Sequence, residues 1–413
     1  MNSTAIINSR IEKDLSMRER ASRVIPGGMW GHMSVSRLPE GYPQFFSRAE
    51  GARLWDLDGN EYVDFICGYG PNLLGYKNSY VEAMVKLQLK KMDVGNGPTE
   101  LLVDLAENLV STLHAADWAM FSKNGTDATT CCLTIARAAA KKRKIILAKG
   151  AYHGSAPWCT PSTNGVTPED TANLLYFDYN DIKSLERAVV LAEDDLAGIM
   201  ISAFRHDTRR DQELPTKKFL QKARQFCNEQ GAALILDDVR AGFRLNKAGS
   251  WTEFGIKPDL SAYSKALGNG YPIAAVVGLE SFKKAATEIF VTGSFWCNAS
   301  AMAAALATLK KINEIDIVSY ISRLGDKLHK GIAEQAQHYG IRIRQTGPVQ
   351  MPLILFDNDE NFNKGNLFAV SALSKGVYLH PWHNMFLSLA HTERDIDIAL
   401  NATDFAFQQV YKS

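Results

Sequence analysis

The sequence predicts an α/β fold built on a largely parallel sheet, and three observations predict it. Short apolar runs without polar alternation recur at Lys144 to Ala148, Ala197 to Ser202, Ala232 to Leu236, Leu260 to Tyr263 and Ile273 to Gly278. Such runs suit strands buried on both faces. Helical stripes lie between them: Pro215 to Gln230 puts Phe219, Leu220, Ala223, Phe226 and Cys227 on one face, with Pro215 opening the helix and Gly231 closing it. Finally, 413 residues, 46% hydrophobic and 22% charged, are enough for more than one packed unit. Strands alternating with helices over such a length argue for an α/β domain.

Taken in order, Ile11 to Val24 reads as a helical lead, ended by the turn Pro26-Gly27-Gly28. Between Leu54 and Phe65 two β-like runs flank Asp58-Gly59-Asn60, a hairpin turn signal. Helices are expected over Val81 to Met92, Thr99 to Leu113 and Ala128 to Lys142, then over Ser300 to Ile312 and Asp316 to Tyr339. Short strands follow at Ile341 to Gln345, Met351 to Phe356 and Gly376 to Leu379. The last helix, Glu393 to Tyr411, starts acidic and is followed by a lysine, as the helix dipole prefers. The expected division is an N-terminal segment, 1–77, packed with a small C-terminal α+β domain, 311–413, around a large domain, 78–310.

Composition narrows the function. A formal net charge of +1 offers no electrostatic footprint for nucleic acid or an acidic membrane. The six cysteines include no CxxC pair, and Cys131 and Cys132 read as small apolar residues of a helix, so neither a metal site nor a disulfide framework is expected. Met1 to Arg23 is charged throughout and has no apolar core like a signal peptide's, and no stretch reaches the ~18 apolar residues of a membrane helix. The cytoplasm is the expected compartment.

Four segments carry chemistry. Phe121-Ser122-Lys123-Asn124-Gly125-Thr126-Asp127-Ala128 is a β-like run, a glycine turn and a helix start, where exposed N–H groups bind phosphate. Thr126 or Asp127 could equally be a plain N-cap. Leu234 to Val239 is a buried strand ending in Asp237 and Asp238, at the edge where open α/β sheets bind ligands. An isolated acid pair of this kind is more often a loop N-cap or a metal ligand. Asp259 to Gly270 places Lys265 directly after an apolar strand and before a glycine loop; a strand-end lysine is usually solvated, but this context could desolvate the amine and lower its pKa. Lys265 follows Asp237 by 28 residues, roughly one crossover, so both would face one pocket. Tyr152-His153-Gly154 offers an aromatic ring in a loop after a strand. No GxGxxG follows a strand, against a nicotinamide enzyme.

With these four in order, together with Pro26-Gly27-Gly28, Gly68-Tyr69-Gly70-Pro71 and Ser388-Leu389-Ala390-His391-Thr392, nearly the whole chain resembles the class III pyridoxal-phosphate aminotransferases, in the glutamate-1-semialdehyde aminomutase branch. The resemblance implies fold type I, with a mostly parallel seven-stranded sheet in the large domain. It implies pyridoxal 5'-phosphate joined to Lys265 as an internal aldimine, Asp237 on the pyridine nitrogen, Val239 and Tyr152 on the two ring faces and His153 alongside. Asn124, Gly125 and Thr126 would hold the phosphate. Ser294 stands where the family has a phosphate-binding threonine given by a neighbouring subunit, which implies a homodimer with shared sites.

The departures bear on the substrate. Asp237-Asp238-Val239 replaces Asp-Glu-Val, and Ser202-Ala203-Phe204 replaces a Glu-Pro-Val segment, losing a buried acid. Trp30, Gly31 and His32 stand where the aminomutase has an arginine, and its C-terminal acid gives way to a segment with His380, Pro381, Trp382 and His383. Glutamate-1-semialdehyde is therefore not the expected substrate. The expected reaction moves an amino group from a small-molecule donor to an oxo acceptor through quinonoid and pyridoxamine forms. Trp30, Tyr69, Trp158 and His383 are the substrate candidates, favouring an aromatic or polyhydroxylated molecule. An intramolecular aminomutase or a racemase shares the same chemistry, and a non-catalytic cofactor-binding sensor is the reading from another class.

Overall fold

The structure is a computed structural model and describes residues 11–413. The expectation drawn from Met1 to Arg23 falls, for residues 1–10, outside the described residues. Among the described residues thirteen strands run in chain order: β1 Phe46–Glu50, β2 Arg53–Asp56, β3 Glu61–Asp64, β4 Trp118–Ser122, β5 Lys144–Ala148, β6 Leu174–Phe177, β7 Leu196–Ser202, β8 Ala233–Asp237, β9 Leu260–Tyr263, β10 Ala274–Gly278, β11 Ile343–Thr346, β12 Leu353–Phe356 and β13 Val377–Tyr378. Seven of them form one sheet in the order β4-β10-β9-β8-β7-β5-β6. Strands β6, β5, β7, β8 and β9 pair in parallel, while β10 runs antiparallel to both β9 and β4.

The apolar runs become strands because both sheet faces are covered. Along β7 and β8, Ile199, Ile201, Leu234 and Leu236 point into one cluster with Phe219, Leu220 and Ala223. Met200 and Ile235, which alternate with them, join the opposite cluster with Ala128, Cys132, Ile135 and Ala136. Every residue of β7, β8, β9 and β10 is buried, so no polar alternation survives in the sequence. The helix Gly125–Ala140 covers one face and Lys217–Gln230 the other. The latter is capped by Thr216, whose side chain accepts from Phe219 N, and not by Pro215, which precedes the cap; Gly231 closes it at φ +60°.

A second sheet, β1-β2-β3-β13, ties the two ends of the chain together: Val377 pairs in parallel with Val63. Beside it pack Ile317–His338, Asn363–Ser374 and Glu393–Lys412. Before it, the helix Glu12–Val24 is anchored by the buried Asp14 carboxylate, which accepts from Gln44 N and Phe45 N and pairs with Arg18. The helix Ala299–Glu314 packs against Ser79–Leu89 and Leu101–Thr112 and runs past residue 310. We therefore propose that the small domain begins after Glu314. Among the described residues, no helix is long and apolar enough to cross a membrane.

Candidate active site

Parallel strands deliver the chemistry to one edge. Ala262 of β9 is the register partner of Asp237 of β8, so the chain leaves the sheet on the same side at Asp237 and at Lys265. Ser264 Oγ donates to Ile273 O (2.9 Å), fixing the bend, and Lys265 itself adopts φ +45°. A cavity of about 680 Å³ opens there, lined by Lys265, Asp237, Val239, Arg240, Tyr152, His153 and the turn Lys123 to Asp127. Tyr69, His32, His206 and Tyr271 also line it.

Asp237 is buried and held by two donors, His153 Nδ1 at 2.6 Å and Val239 N at 3.1 Å. Both carboxylate oxygens keep lone pairs to spare. His153 is oriented further by Thr129 Oγ1, which donates to its carbonyl (2.7 Å), and its Nε2 is buried with no partner. Asp238 turns away from the cavity, accepting from Ser250 N (3.0 Å) and Ser250 Oγ (2.6 Å), and burial raises its pKa to about 6. Burial first, then the Arg240 charge, lowers the Lys265 pKa to about 7.

The phosphate-type turn has a more specific build than the sequence reading. Asn124 is the N-cap, its side chain accepting from Asp127 N (3.0 Å) while Asp127 Oδ2 accepts from Asn124 N (3.2 Å). This capping box leaves Gly125 and Thr126, the first helical residues, with N–H groups that have no carbonyl one turn back. Gly125 allows close approach: a Cβ there would lie 2.8 Å from Val239 Cγ1. Gly154 does the same at φ +137°, where a Cβ would meet Thr126 Oγ1 at 2.5 Å.

Of the other expected residues, Tyr69 lines the cavity at φ +64°, its ring edge-on to His32 (4.5 Å) and His383 (5.3 Å). His383 is buried behind that wall and accepts from Arg240 Nη1 (3.1 Å). Trp158 lies outside the lining and donates through Nε1 to Thr130 Oγ1 (3.0 Å). Trp30 is 65% exposed and also outside it, as is exposed Ser294. At the departed segment, Ser202 is buried with Oγ unpartnered, and Phe204 stacks edge-on to His206. Sequence reasoning did not single out His206 or Arg240 as site residues. Arg240 adjoins Asp237-Asp238-Val239, and that adjacency was the available signal.

These residues fit pyridoxal phosphate. A strand-end amine, a carboxylate with acceptor capacity, free N–H groups at a helix start and the side chains of Val239 and Tyr152 line one space. The unpartnered, buried His153 Nε2 agrees with a group seated beside it.

Comparison with known proteins agrees. The family model "Aminotransferase class-III" matches residues 37–403. The aminopentol aminotransferase of Sphingopyxis macrogoltabida is 48% identical over 98% of this chain and 96% of its own. The glutamate-1-semialdehyde 2,1-aminomutase of Desulforamulus reducens is 30% identical over 97% of this chain and 99% of its own. Among solved structures, the PLP internal aldimine form of the FumI protein of Sphingopyxis sp. MTA144 superimposes with a TM-score of 0.96 at 48% identity, covering 97% of each chain.

Proposed function

The chain belongs to the class III aminotransferases and depends on pyridoxal phosphate, and on that premise we propose that it takes the amino group of a hydroxylated amine, with Lys265 as its catalytic amine and Asp237 as the anchor of the cofactor ring. The observation that carries this reading is Lys265, close to neutral pKa, sharing one cavity with Asp237 at a single sheet edge. When bound, the cofactor supplies an electron sink for the pair released on C–H cleavage.

In this reading Lys265 takes the proton from the substrate carbon and returns it, a task suited to an amine near pKa 7. Asp237, oriented by His153 Nδ1 and Val239 N, keeps the ring nitrogen protonated. Gly125 and Thr126 offer N–H groups to the phosphate, and Asn124 fixes the turn that aims them. Val239 and Tyr152, both in the cavity lining, would flank the ring. On the substrate side Tyr69, with His32 and His383 against its ring, and His206 of the same cavity are held uncharged: burial lowers the pKa of all three imidazoles, and raises that of Tyr69 to about 12. Uncharged hydrogen-bonding groups of this kind favour hydroxyl groups, in line with the aminopentol named for the relative from S. macrogoltabida.

Two copies would complete the site. Exposed Leu87, Met92, Phe290 and Phe295 flank exposed Ser294, and we assign this face to a second copy whose site receives that hydroxyl. All six cysteines are free, which suits a reducing cytoplasm.

The test is a visible spectrum of the purified holoenzyme with separate detection of the oxo product. An amino-polyol donor should bleach the yellow band and release one ketone or aldehyde per cofactor. Failure to bleach with any amine would leave only a cofactor-binding sensor. Isomerisation without release or acceptor would make the enzyme an intramolecular mutase.

A further inference from the structure

The turn that carries Lys265 is short and has few bonds of its own. Lys265–Gly268 is one turn of 3-10 helix, in which Leu267 N donates to Ser264 O (3.0 Å) and Asn269 N to Ala266 O (3.3 Å). It begins and ends on residues other than glycine in the left-handed region, Lys265 at φ +45° and Asn269 at φ +44°. A glycine at 269 would take that φ with less strain, but it would lack the amide. Asn269 is 5% exposed and stays outside the cavity lining. Its Oδ1 accepts from Leu74 N (2.7 Å) and its Nδ2 donates to Gly75 O (3.0 Å), 195 and 194 residues away in the chain.

That distant segment is continuous with the turn that presents Tyr69. Cys67, Gly68, Tyr69 and Gly70 all have positive φ, and Asn72 Nδ2 donates back to Cys67 O (3.0 Å). The two stretches also approach at Gly270, where a Cβ would lie 3.0 Å from Asn72 Oδ1. We infer that Asn269 is a positioning residue: its amide bridges the two turns and holds the Lys265 amine at a fixed distance from the Tyr69 ring. A carboxamide supplies both the donor and the acceptor that these neighbouring peptide groups require. Without it, Leu74 N and Gly75 O would be buried and unpaired, which favours a shift of one turn against the other. The inference rests on the proposed function, since it takes Lys265 as the group that moves the proton.

The test is Asn269→Gly, which keeps the backbone conformation and removes the amide. With a saturating amino-polyol donor, single-turnover bleaching of the yellow band should slow by about 10- to 100-fold, the cost of misplacing a reacting group by about 1 Å. A second readout needs no turnover. The midpoint pH of pyridoxal-phosphate capture by the cofactor-free protein should move upward, because a loosened amine gains water. The charges of Arg240, Asp237 and Arg244, which act on Lys265, are untouched by this substitution. Asn269→Asp, of the same size, guards against a misfolded glycine variant: it keeps the acceptor for Leu74 N, turns a lone pair toward Gly75 O and should slow the same bleaching. If rate and midpoint both stay fixed in Asn269→Gly, even with a lowered melting temperature, or if Asn269→Asp bleaches at the full rate, the inference is overturned while the aminotransferase reading stands. If no amine bleaches the unaltered holoenzyme, it is the proposed function that fails.

Discussion

At the scale of single residues, the placement of Lys265 governs the pH behaviour. Its amine lies at the end of β9, and burial together with the Arg240 charge lowers its pKa to about 7. The sign follows directly: a protonated amine is no nucleophile, so below pH 7 the cofactor-free protein should capture pyridoxal phosphate more slowly as pH falls, and above it the rate should level off. Stopped-flow absorbance reads this rate. Removing the neighbouring positive charge in Arg240→Met should move the midpoint upward; a midpoint that stays fixed would mean that burial alone sets it. In Lys265→Ala, turnover should fall by at least about 10³-fold, while Asp237 and the helix start still bind cofactor. Full activity in that variant would remove Lys265 from the mechanism. Asp237 and Lys265 were legible in the sequence because a strand end fixes where a side chain can go. Arg240 was not, since its place in the cavity wall depends on His383 and Asn384, which its Nη1 reaches across 143 and 144 residues of chain.

At the scale of elements, the site depends on a loop and a helix start approaching more closely than ordinary side chains permit. The loop Tyr152 to Ser155 is held to the helix Gly125–Ala140 by Ser155 N donating to Thr126 Oγ1 (3.2 Å) and Thr129 Oγ1 donating to His153 O. Gly154 makes that approach possible. A methyl group there meets the Thr126 side chain in a backbone region that L residues rarely adopt. Gly154→Ala should therefore push Tyr152 and His153 off the cofactor and weaken its binding by about 10- to 100-fold, for a strain of about 1–3 kcal/mol. Equilibrium dialysis measures it, and native affinity would show that the loop yields without consequence. Elements of this kind were readable where burial left a mark. The runs at β5 and β9 appear in the sequence with the bounds seen in the structure, because both faces are covered. By contrast, β6, with exposed Tyr176, and the helix Asn363–Ser374, whose Asn, Gly and Ser residues favour turns, were missed. Their conformation comes from tertiary packing, in the second case of Phe368, Ala369 and Ala372 against the C-terminal helix.

At the scale of the whole molecule, one face remains apolar in the single chain. Phe290 is 91% exposed and Phe295 58%, and Leu87, Met92 and Val94 lie on a segment stitched to theirs. The stitch is Asp93, whose carboxylate accepts from Asn298 Nδ2 (3.1 Å) and Ser300 N (2.9 Å) and whose carbonyl accepts from Ala299 N (3.0 Å). Two exposed apolar segments fixed side by side form the kind of patch that a second copy covers. Sedimentation should accordingly find a dimer. Placing a charge at its centre, Phe290→Asp, should weaken association by about 30-fold, the cost of losing a central aromatic anchor. Turnover should then depend on protein concentration, because Ser294 reaches a cofactor only across the interface in the proposed arrangement. Ser294→Ala separates the two effects. It should loosen cofactor binding while the dimer persists, whereas a monomeric Phe290→Asp protein with full activity would show that each chain carries a complete site of its own.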